Sequence, residues 1–430
     1  MELEFYNKTG GYNPYELNWD ETITFPSTKS LSQYGNRLYN RYPARSIFLV
    51  PRATLNSKIK ETEKINVLDP FMGSGTTAVE ASLINSVIYG TEMDPFARLI
   101  AEVSLFRFSE EEIIDIKNVF LNIKEKWSKQ TINEKFYPKL NNIEYWFDEQ
   151  NFDELLRLKS FIYESITNEK HLKFFKVTFA DCIKPSSKME RQSTKPYISS
   201  KFPKKVKPVF ESFEYSFNAH IDALKQYNSS PTESQNKINW LGFDATNFNT
   251  VKEVIDLAIT SPPYLNAFDY TQIIKIESAW VGTLENEDIP KLRNVQVGNE
   301  KRKDNKINHF IEKLFEPYFQ EIVKQGEKEN KNYNKVAKTC LSYFNDIKNN
   351  LACVYDVLKK GGEYHMIIGD NIIKKIEIPT HKLIAEIAKE VGFDWFGYYK
   401  YAIKDHRTSI PRNDNGGKIN YEYVLMLKKK

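Results

Sequence analysis

The stretch from Val67 to Thr77, VLDPFMGSGTT, constrains the fold of this chain more than any other. The apolar run from Ile65 to Leu68 predicts a short buried strand that ends at Asp69. Gly73 and Gly75 follow, and glycine lets the backbone turn tightly with a positive φ. From Thr76 onward the pattern predicts a helix that packs back on the sheet. Together these elements form a nucleotide-sized crevice at the carboxyl end of a strand.

A second acidic strand end narrows the choice of ligand. The residues from Ser86 to Glu92 predict a strand, with Glu92 at its tip, where a ribose-binding carboxylate is expected. A carboxylate at a helix start is the alternative, and Asp94 suits that role better, just before Pro95 and the predicted helix from Phe96 to Val103. Because no Gly-Lys-Ser/Thr follows the glycines, we expect a nucleoside site without a triphosphate.

Composition excludes several classes of protein. The 430 residues allow two or three domains, and a net charge of +4 is too small to indicate nucleic-acid binding by itself. Cys182, Cys340 and Cys353 form neither a disulfide framework nor a zinc pattern, which fits a reducing cytoplasm. The amino terminus lacks the features of a signal peptide, and no apolar run of about 18 residues predicts a membrane span.

Three segments differ in composition and pattern from the strand-forming parts. Residues 1–30 predict an irregular arm. Residues 109–236 are rich in Lys, Asn, Glu and aromatic residues with helical spacing, for example Ile113, Ile116 and Phe120, and predict a largely helical insertion. Residues 266–350 predict further charged helices, an insertion near 285–345, an aromatic cluster (Phe268, Tyr270, Trp280) and a basic spot at Lys301-Arg302-Lys303.

The segment from Lys184 to Lys207 is strongly basic. Its 24 residues include eight basic side chains and one acid, Glu190, which gives a net charge of +7. Interleaved Ser, Thr and Pro predict a flexible loop. Such a run is usually a solvated surface, and contact with phosphates is an equally weighted alternative. The candidate phosphate contacts are Lys188, Arg191, Lys201, Lys204, Lys205 and Lys207.

A turn after a later strand carries the candidate chemistry. The run from Val254 to Ile259 predicts a buried parallel strand that leads into Thr260-Ser261-Pro262-Pro263-Tyr264. The two prolines stiffen the turn and leave carbonyls free to accept, while Ser261 adds a hydroxyl and Tyr264 a stacking ring. Acceptors that hold the two hydrogens of an exocyclic amino group turn its lone pair toward an electrophile. At the tip of a strand beside Asp69 and Glu92, this turn predicts an active site.

The remaining strands complete the expected sheet. The residues from Ile238 to Asp244 predict a strand with another acidic tip. An amphipathic helix from Asn345 to Leu358, stopped by Gly361-Gly362, precedes a strand from Glu363 to Gly369. A helix over 380–392, closed by Gly392, precedes two strands, Asp394 to Ile403 and Tyr421 to Leu427, joined by a loop. They predict an antiparallel hairpin at the sheet edge.

These motifs resemble the S-adenosylmethionine-dependent DNA amino-methyltransferases of the N4-cytosine and N6-adenine group. Asp69 to Thr77 resembles the loop that binds the methionine part, and Thr260 to Tyr264 resembles the catalytic motif. Serine directly before the two prolines, here Ser261, is the form most associated with N4-cytosine enzymes. The resemblance implies catalytic residues Ser261, Pro262, Pro263 and Tyr264. It also implies cofactor contacts from Tyr42, Pro43, Ala44, Asp69, Pro70, Phe71, Gly73, Gly75, Thr76, Thr77, Glu92, Met93, Asp244, Ala245 and Thr260, with Glu92 on the ribose and Asp244 on the adenine amino group.

The resemblance further implies a Rossmann-like class I α/β fold, mostly parallel with an antiparallel edge hairpin. Residues 1–108 and 237–430 would form its two parts, and the insertion at 109–236 would recognise the target. Direct methyl transfer without metal, base flipping, DNA as partner and an associated restriction endonuclease are expected. We also expect a side chain at Gly75 to fill the methionine space.

Three alternatives remain open from the sequence. The same motifs suit transfer to N6 of adenine, and they suit action on structured RNA or on a protein glutamine amide. A DNA-binding protein with an inactive methyltransferase fold is the third alternative, although all motif positions are intact. The absence of a Pro-Cys dipeptide disfavours the C5-cytosine mechanism, which needs a cysteine nucleophile.

Overall fold

The structure, a computed structural model, describes residues 12–25, 42, 46–59, 63–190, 193, 195–228, 236–248, 250–265, 269–299, 302, 306–403 and 420–430. The predictions for Pro43, Ala44, Arg191, Phe268, Lys301, Lys303 and the loop before the last strand lie outside these residues.

A mixed sheet of eight strands organises the described part of the chain. Its order is β1-β9-β10-β6-β5-β2-β3-β4. The runs β4-β3-β2-β5-β6 and β9-β1 pair in parallel, and β10 is antiparallel to both of its neighbours. A separate ladder pairs β7 with β8. The strands are β1 Thr22–Ile23, β2 Ile65–Asp69, β3 Ser86–Thr91, β4 Ile238–Gly242, β5 Ile255–Thr260, β6 Leu358–Gly369, β7 Asn371–Ile373, β8 Ile376–Ile378, β9 Phe393–Ala402 and β10 Tyr421–Lys429.

This strand arrangement confirms the predicted Rossmann-like class I fold. The central strands β2 and β5 are largely buried, as their apolar sequences require between two helical layers. The predicted hairpin of β9 and β10 is present, and the short β1 of the amino-terminal arm pairs with β9 at the edge. The carboxyl ends of β2, β3, β4 and β5 share one edge of the sheet.

Helices cover both faces of the sheet. The first face packs against α1 (Leu49–Ile59), α2 (Thr76–Ala81) and α3 (Pro95–Ser104). Later helices are α8 (Tyr270–Val281), α9 (Asp288–Val295), α10 (His309–Lys328), α11 (Asn334–Val357) and α12 (Thr380–Val391). Of these, α10, α11 and α12 share an apolar core with strands β5, β6 and β10.

The described residues of the segment 109–236 are largely helical. They form α4 (Glu110–Lys126), α5 (Glu149–Ser165), α6 (Glu169–Ile183) and α7 (Val209–Asn228), with three short 3₁₀ turns. Their aromatic core is continuous with Phe96 and Leu99 of α3 and with Ile276 and Trp280 of α8. Helices of the sheet domain and of the insertion therefore share one buried core.

The glycine pair before β6 has a different role from the predicted helix stop. Helix α11 runs from Asn334 to Val357, and β6 begins at the next residue, so both glycines lie inside the strand. Gly361 has φ +75°, and a Cβ at Gly362 would lie 2.9 Å from the Lys359 carbonyl oxygen. The pairing with β5 shifts register here. Glycine is required because the strand bulges against its neighbour.

Within the described residues, no helix combines the length and the apolar character that crossing a membrane requires.

Candidate active site

A cavity of about 730 Å³, its open mouth included, lies at the carboxyl edge of the central strands. Nine of its lining residues were predicted from the sequence: Tyr42, Pro70, Phe71, Gly73, Glu92, Met93, Ala245, Ser261 and Pro263. Sequence reasoning did not assign the others to a site: Thr91, Asp94, Phe243, Tyr270, Thr271, Val295, Gln296 and Val297.

The two glycines of the first turn do different work. Gly73 (φ +52°) lines the cavity, and a Cβ built on it would approach the Tyr42 ring to 3.4 Å. Gly75 (φ +86°) begins α2, and its Cβ would lie 3.1 Å from the Cα and Cβ of Ala101 in α3. The expectation that a side chain at Gly75 would fill the methionine space is therefore wrong. Gly75 permits close packing of two helices, and Gly73 keeps the cavity open.

Glu92 is buried at the tip of β3, and its carboxylate is held from two sides. One oxygen accepts from the Gly73 amide at 2.7 Å, and the other accepts from the Asp94 amide at 2.8 Å. Burial raises the pKa of Glu92 to about 7, despite these bonds and the nearby Arg98 guanidinium, which lower it. Each oxygen keeps a lone pair, so this cavity-lining carboxylate can accept the hydroxyls of a ribose diol.

Arg98 aligns the loops that follow β3 and β4. Its Nε donates to the Glu92 carbonyl oxygen at 2.7 Å, and its Nη2 donates to the carbonyl oxygen of Gly242. The guanidinium also stacks 4.7 Å from the Trp240 ring centroid. Asp94 caps α3 through the Phe96 and Ala97 amides, as the sequence indicated. The Arg98 side chain thus holds the loop at Glu92, after β3, at a set distance from the end of β4 at Gly242.

Asp69 lies behind the cavity rather than in its lining. Its carboxylate accepts from the Thr260 hydroxyl at 2.6 Å and from the Phe71 amide at 3.0 Å. Burial raises its pKa to about 6, and hydrogen bonds from Thr260, Thr77 and Phe71 oppose that shift. Asp69 therefore joins the glycine turn to the residue before Ser261. Thr76 and Thr77 are buried at the start of α2 and likewise do not line the cavity.

Asp244 is also engaged within its own turn. Its Oδ1 accepts from the backbone amide of Thr246 at 2.8 Å and from the Thr246 hydroxyl at 2.7 Å. The flanking residues Phe243 and Ala245 line the cavity, whereas Asp244 does not. Contact between its carboxylate and a ligand stays a prediction.

The residues of the turn after β5 differ in whether they line the cavity. Ser261 and Pro263 line the cavity, while Pro262 is buried and Tyr264 lies outside the lining. The Tyr264 hydroxyl donates to Oε1 of Glu422 at 2.5 Å, and the Tyr401 hydroxyl donates to the other oxygen of that carboxylate. No local pattern in the sequence indicates Glu422, because Tyr264 and Tyr401 approach it only through the pairing of the strands.

The segment after α9 forms a further wall of the cavity. Val295, Gln296 and Val297 line it, and Arg302 fixes the segment by donating to the Val295 carbonyl oxygen. Arg302 is a buried side chain whose Nε lies 3.1 Å from a carboxylate oxygen of Asp346. Within the predicted basic spot, Arg302 therefore forms an interior ion pair.

Thr271 is the clearest polar residue that sequence reasoning missed. Its side chain is 1% exposed and lines the cavity from the first turn of α8. Among the described residues, its hydroxyl has no hydrogen-bond partner. Buried hydroxyls are normally paired, so this one indicates a polar ligand group in the cavity.

The basic loop is folded against the insertion. The Lys188 amide donates to the Trp146 carbonyl oxygen at 2.8 Å, and the Lys204 ammonium donates to the Lys184 carbonyl oxygen at 2.7 Å. Lys201 and Lys205 are exposed. Four exposed aromatic side chains lie in or beside the loop: Tyr145, Tyr197, Phe202 and Tyr215. The Lys188 and Lys207 ammonium groups lie 5.6 Å and 5.9 Å from the Tyr145 and Tyr215 ring centroids.

Comparisons with known proteins found similar sequences and structures. Residues 13–102 match a family model described as DNA methylase. The type II methyltransferase M.MvaI of Kocuria varians is 23% identical over 91% of this chain and 90% of its own length. M.AvaI of Nostoc is 25% identical over 86% of this chain and 81% of its own. A solved S-adenosylmethionine-dependent methyltransferase of Methanosarcina mazei aligns with 86% of this chain and 93% of its own at 7% identity and a TM-score of 0.29. The fold assignment rests on the strand order of the eight-stranded sheet and not on this alignment.

The cavity suits S-adenosylmethionine on three observations. Gly73 leaves a space that a Cβ would narrow, and Glu92 offers acceptors for a ribose diol. Thr271 presents a hydroxyl that bonds to no group in the described part of the chain. The family match covers residues 13–102, and the type II methyltransferases align along most of the chain, so this chain is similar to DNA methyltransferases along most of its length.

Proposed function

We propose that this protein transfers a methyl group from S-adenosylmethionine to the exocyclic N4 of cytosine in DNA. The choice of cytosine rests on Ser261, which lines the cavity directly before the two prolines of the catalytic turn. Its hydroxyl can accept one amino hydrogen, and it lacks the carboxylate or amide of the Asp and Asn forms of this motif.

The chain would hold the cofactor in the described cavity. Glu92 would accept from the ribose hydroxyls, Gly73 and Phe71 would border the methionine part, and Phe243 and Ala245 would border the base. When bound, the cofactor supplies an electrophilic methyl carbon attached to a positively charged sulfur. We infer that the acidic tips help to attract that charge.

The catalytic turn would orient the cytosine amino group. One hydrogen is donated to the Ser261 hydroxyl and the other to the Pro262 carbonyl oxygen, so the nitrogen lone pair points at the methyl carbon. The nitrogen–carbon bond forms as the carbon–sulfur bond breaks, and the nitrogen loses one hydrogen to water as a proton. Positioning of the two reactants supplies the rate enhancement. Because a paired base is out of reach, the cytosine must be flipped out of the duplex.

We further propose that residues 109–236 recognise the target and that the basic loop contacts DNA phosphates. The exposed aromatic rings beside exposed lysines support contact with nucleic acid. The type II methyltransferase relatives support a role in restriction–modification with a cognate endonuclease.

The test identifies the methylated base directly. DNA from a host that expresses the protein is digested to nucleosides, and the products are identified by mass spectrometry, with a Ser261→Ala variant as control. N4-methylcytosine that depends on Ser261 is the expected result. N6-methyladenine as the sole product would overturn the base assignment, and methylated RNA without methylated DNA would overturn the substrate class.

A further inference from the structure

Asn371 reaches the end of the catalytic turn from a distant part of the sequence. It begins β7, two residues after the last residue of β6, Gly369. Strand β5 ends at Thr260, opposite Met366 in β6, and β6 continues to Gly369. The chain after β6 therefore runs beside the turn that follows β5. This arrangement brings the Asn371 side chain to Leu265, the first residue after the catalytic turn.

Two hydrogen bonds fix the orientation of the Asn371 amide. Its Nδ2 donates to the Leu265 carbonyl oxygen at 3.1 Å. Its Oδ1 accepts at 3.2 Å from the Thr380 hydroxyl, which also lies 3.3 Å from the Ile378 carbonyl oxygen. Asn371, Leu265 and Thr380 are buried. The reversed amide would set its oxygen against the Leu265 carbonyl oxygen, and two acceptors do not bond, so the donor must face the turn.

The catalytic turn is thereby held at both ends. On its amino side, the Thr260 hydroxyl donates to Asp69 at 2.6 Å. On its carboxyl side, the Asn371 amide holds the Leu265 carbonyl oxygen. The two prolines between these ends have no amide hydrogen to donate, so the bonds at the ends matter more for the position of the turn. Ser261, which lines the cavity, lies within this span.

We propose that Asn371 is a positioning residue that holds the catalytic turn in place for methyl transfer. This inference rests on the proposed function, and it applies to an amino group of either cytosine or adenine. Asn371 is not among the residues that line the described cavity. It acts through Leu265 on the positions of the Ser261 hydroxyl and the Pro262 carbonyl oxygen. Loss of its bond should therefore slow the reaction and leave the cofactor site intact.

The test uses Asn371→Asp, which keeps the shape of the side chain and adds a titration. A neutral carboxyl can donate to the Leu265 carbonyl oxygen, whereas an ionised one only accepts and repels it. The single-turnover rate of this variant, divided by that of the wild type, should fall as pH rises, by about tenfold or more at alkaline pH. S-adenosylmethionine affinity, measured by calorimetry, should equal that of the wild type at each pH. The neighbouring pair of Asp370 and His381 titrates in both proteins, so the ratio removes its common effect.

Asn239→Asp is the matched control. Asn239 also donates its amide to a backbone carbonyl oxygen, that of Ile88, at 3.1 Å. It is the second residue of β4 and lies away from the carboxyl end of that strand. Its rate ratio should not change with pH. A flat ratio for Asn371→Asp, the same fall in both variants, or an equal loss of S-adenosylmethionine affinity would overturn the inference.

A second variant gives the answer if Asn371→Asp has a lowered melting temperature. Thr380→Val keeps the shape of its side chain and removes the hydroxyl that bonds the Asn371 amide. We expect slower methyl transfer with unchanged S-adenosylmethionine affinity, and an unchanged rate would contradict the positioning role. Absence of any methylated product from the wild type would instead refute the proposed function.

Discussion

The carboxyl group of Glu92 predicts how cofactor affinity depends on pH. Burial, and to a smaller extent the charge of Asp94, raise its pKa to about 7, against the lowering effect of the Asp94 and Gly73 amides and the Arg98 guanidinium. A ribose diol donates to the ionised form, so affinity should rise by about tenfold per pH unit below that pKa and level off above it. Calorimetric titrations with S-adenosylmethionine across this range measure the slope.

The variant Glu92→Gln supplies the control for this prediction. It removes the titration of this carboxyl but leaves the ionisation of the ligand's own amino group, so the slope should fall. An identical pH profile in both proteins would contradict the ribose assignment. Without cofactor, the folded protein holds this proton more tightly than the unfolded chain. The contribution to stability is therefore present at low pH and is lost as pH rises from the ordinary value of 4.5 to about 7.

Tyr264 supplies a prediction about the base rather than the cofactor. Tyr264 lies outside the cavity lining, and the sequence predicts that its ring stacks on the flipped base. Tyr264→Ala removes that ring, and such stacking is worth about 1–3 kcal/mol on other aromatic platforms. We expect slower methyl transfer with unchanged S-adenosylmethionine affinity, measured by single-turnover assay and calorimetry. Equal loss of both would place Tyr264 in the cofactor site instead.

At the scale of elements, the two glycines before α2 have different roles: Gly75 allows α2 to pack against α3, and Gly73 borders the cavity. Gly75→Ala places a Cβ 3.1 Å from Ala101 at a φ of +86°, so we expect the folded state to lose about 1–2 kcal/mol. Gly73→Ala carries similar backbone strain but points toward Tyr42 in the cavity. Chemical denaturation should show destabilisation in both variants, and calorimetry should show weakened S-adenosylmethionine binding in Gly73→Ala alone. Equal affinities would contradict this division.

The elements also show what the sequence can and cannot predict. Apolar runs and glycine turns correctly located β2, β3 and β5, and the motif residues Glu92 and Ser261 line the cavity. Gly361-Gly362 was misassigned because a helix stop and a bulge have the same local composition. Thr271 and Glu422 were missed because their surroundings are created by tertiary contacts between distant segments, which no local pattern records.

For the whole molecule, the distribution of charge predicts the salt dependence of DNA binding. Replacing Lys201, Lys204, Lys205 and Lys207 together by Ala should flatten the log–log salt slope by about one unit per lost phosphate contact. Fluorescence anisotropy at several salt concentrations measures that slope. The matched control replaces four exposed lysines of α10 and α11, Lys313, Lys324, Lys328 and Lys338, and removes the same net charge. Equal slopes for the two variants would leave the loop as solvated surface.

The continuous core between the insertion and the sheet domain limits how target specificity can be exchanged. Phe96 and Leu99 of α3 pack with Ile276 and Trp280 of α8 in the same cluster as the insertion helices. A chimaera that grafts residues 109–236 from a relative would set foreign side chains against these four. Transplanting recognition therefore requires co-transfer of the outer faces of α3 and α8, so the useful crossover points lie inside those helices rather than at the ends of the insertion.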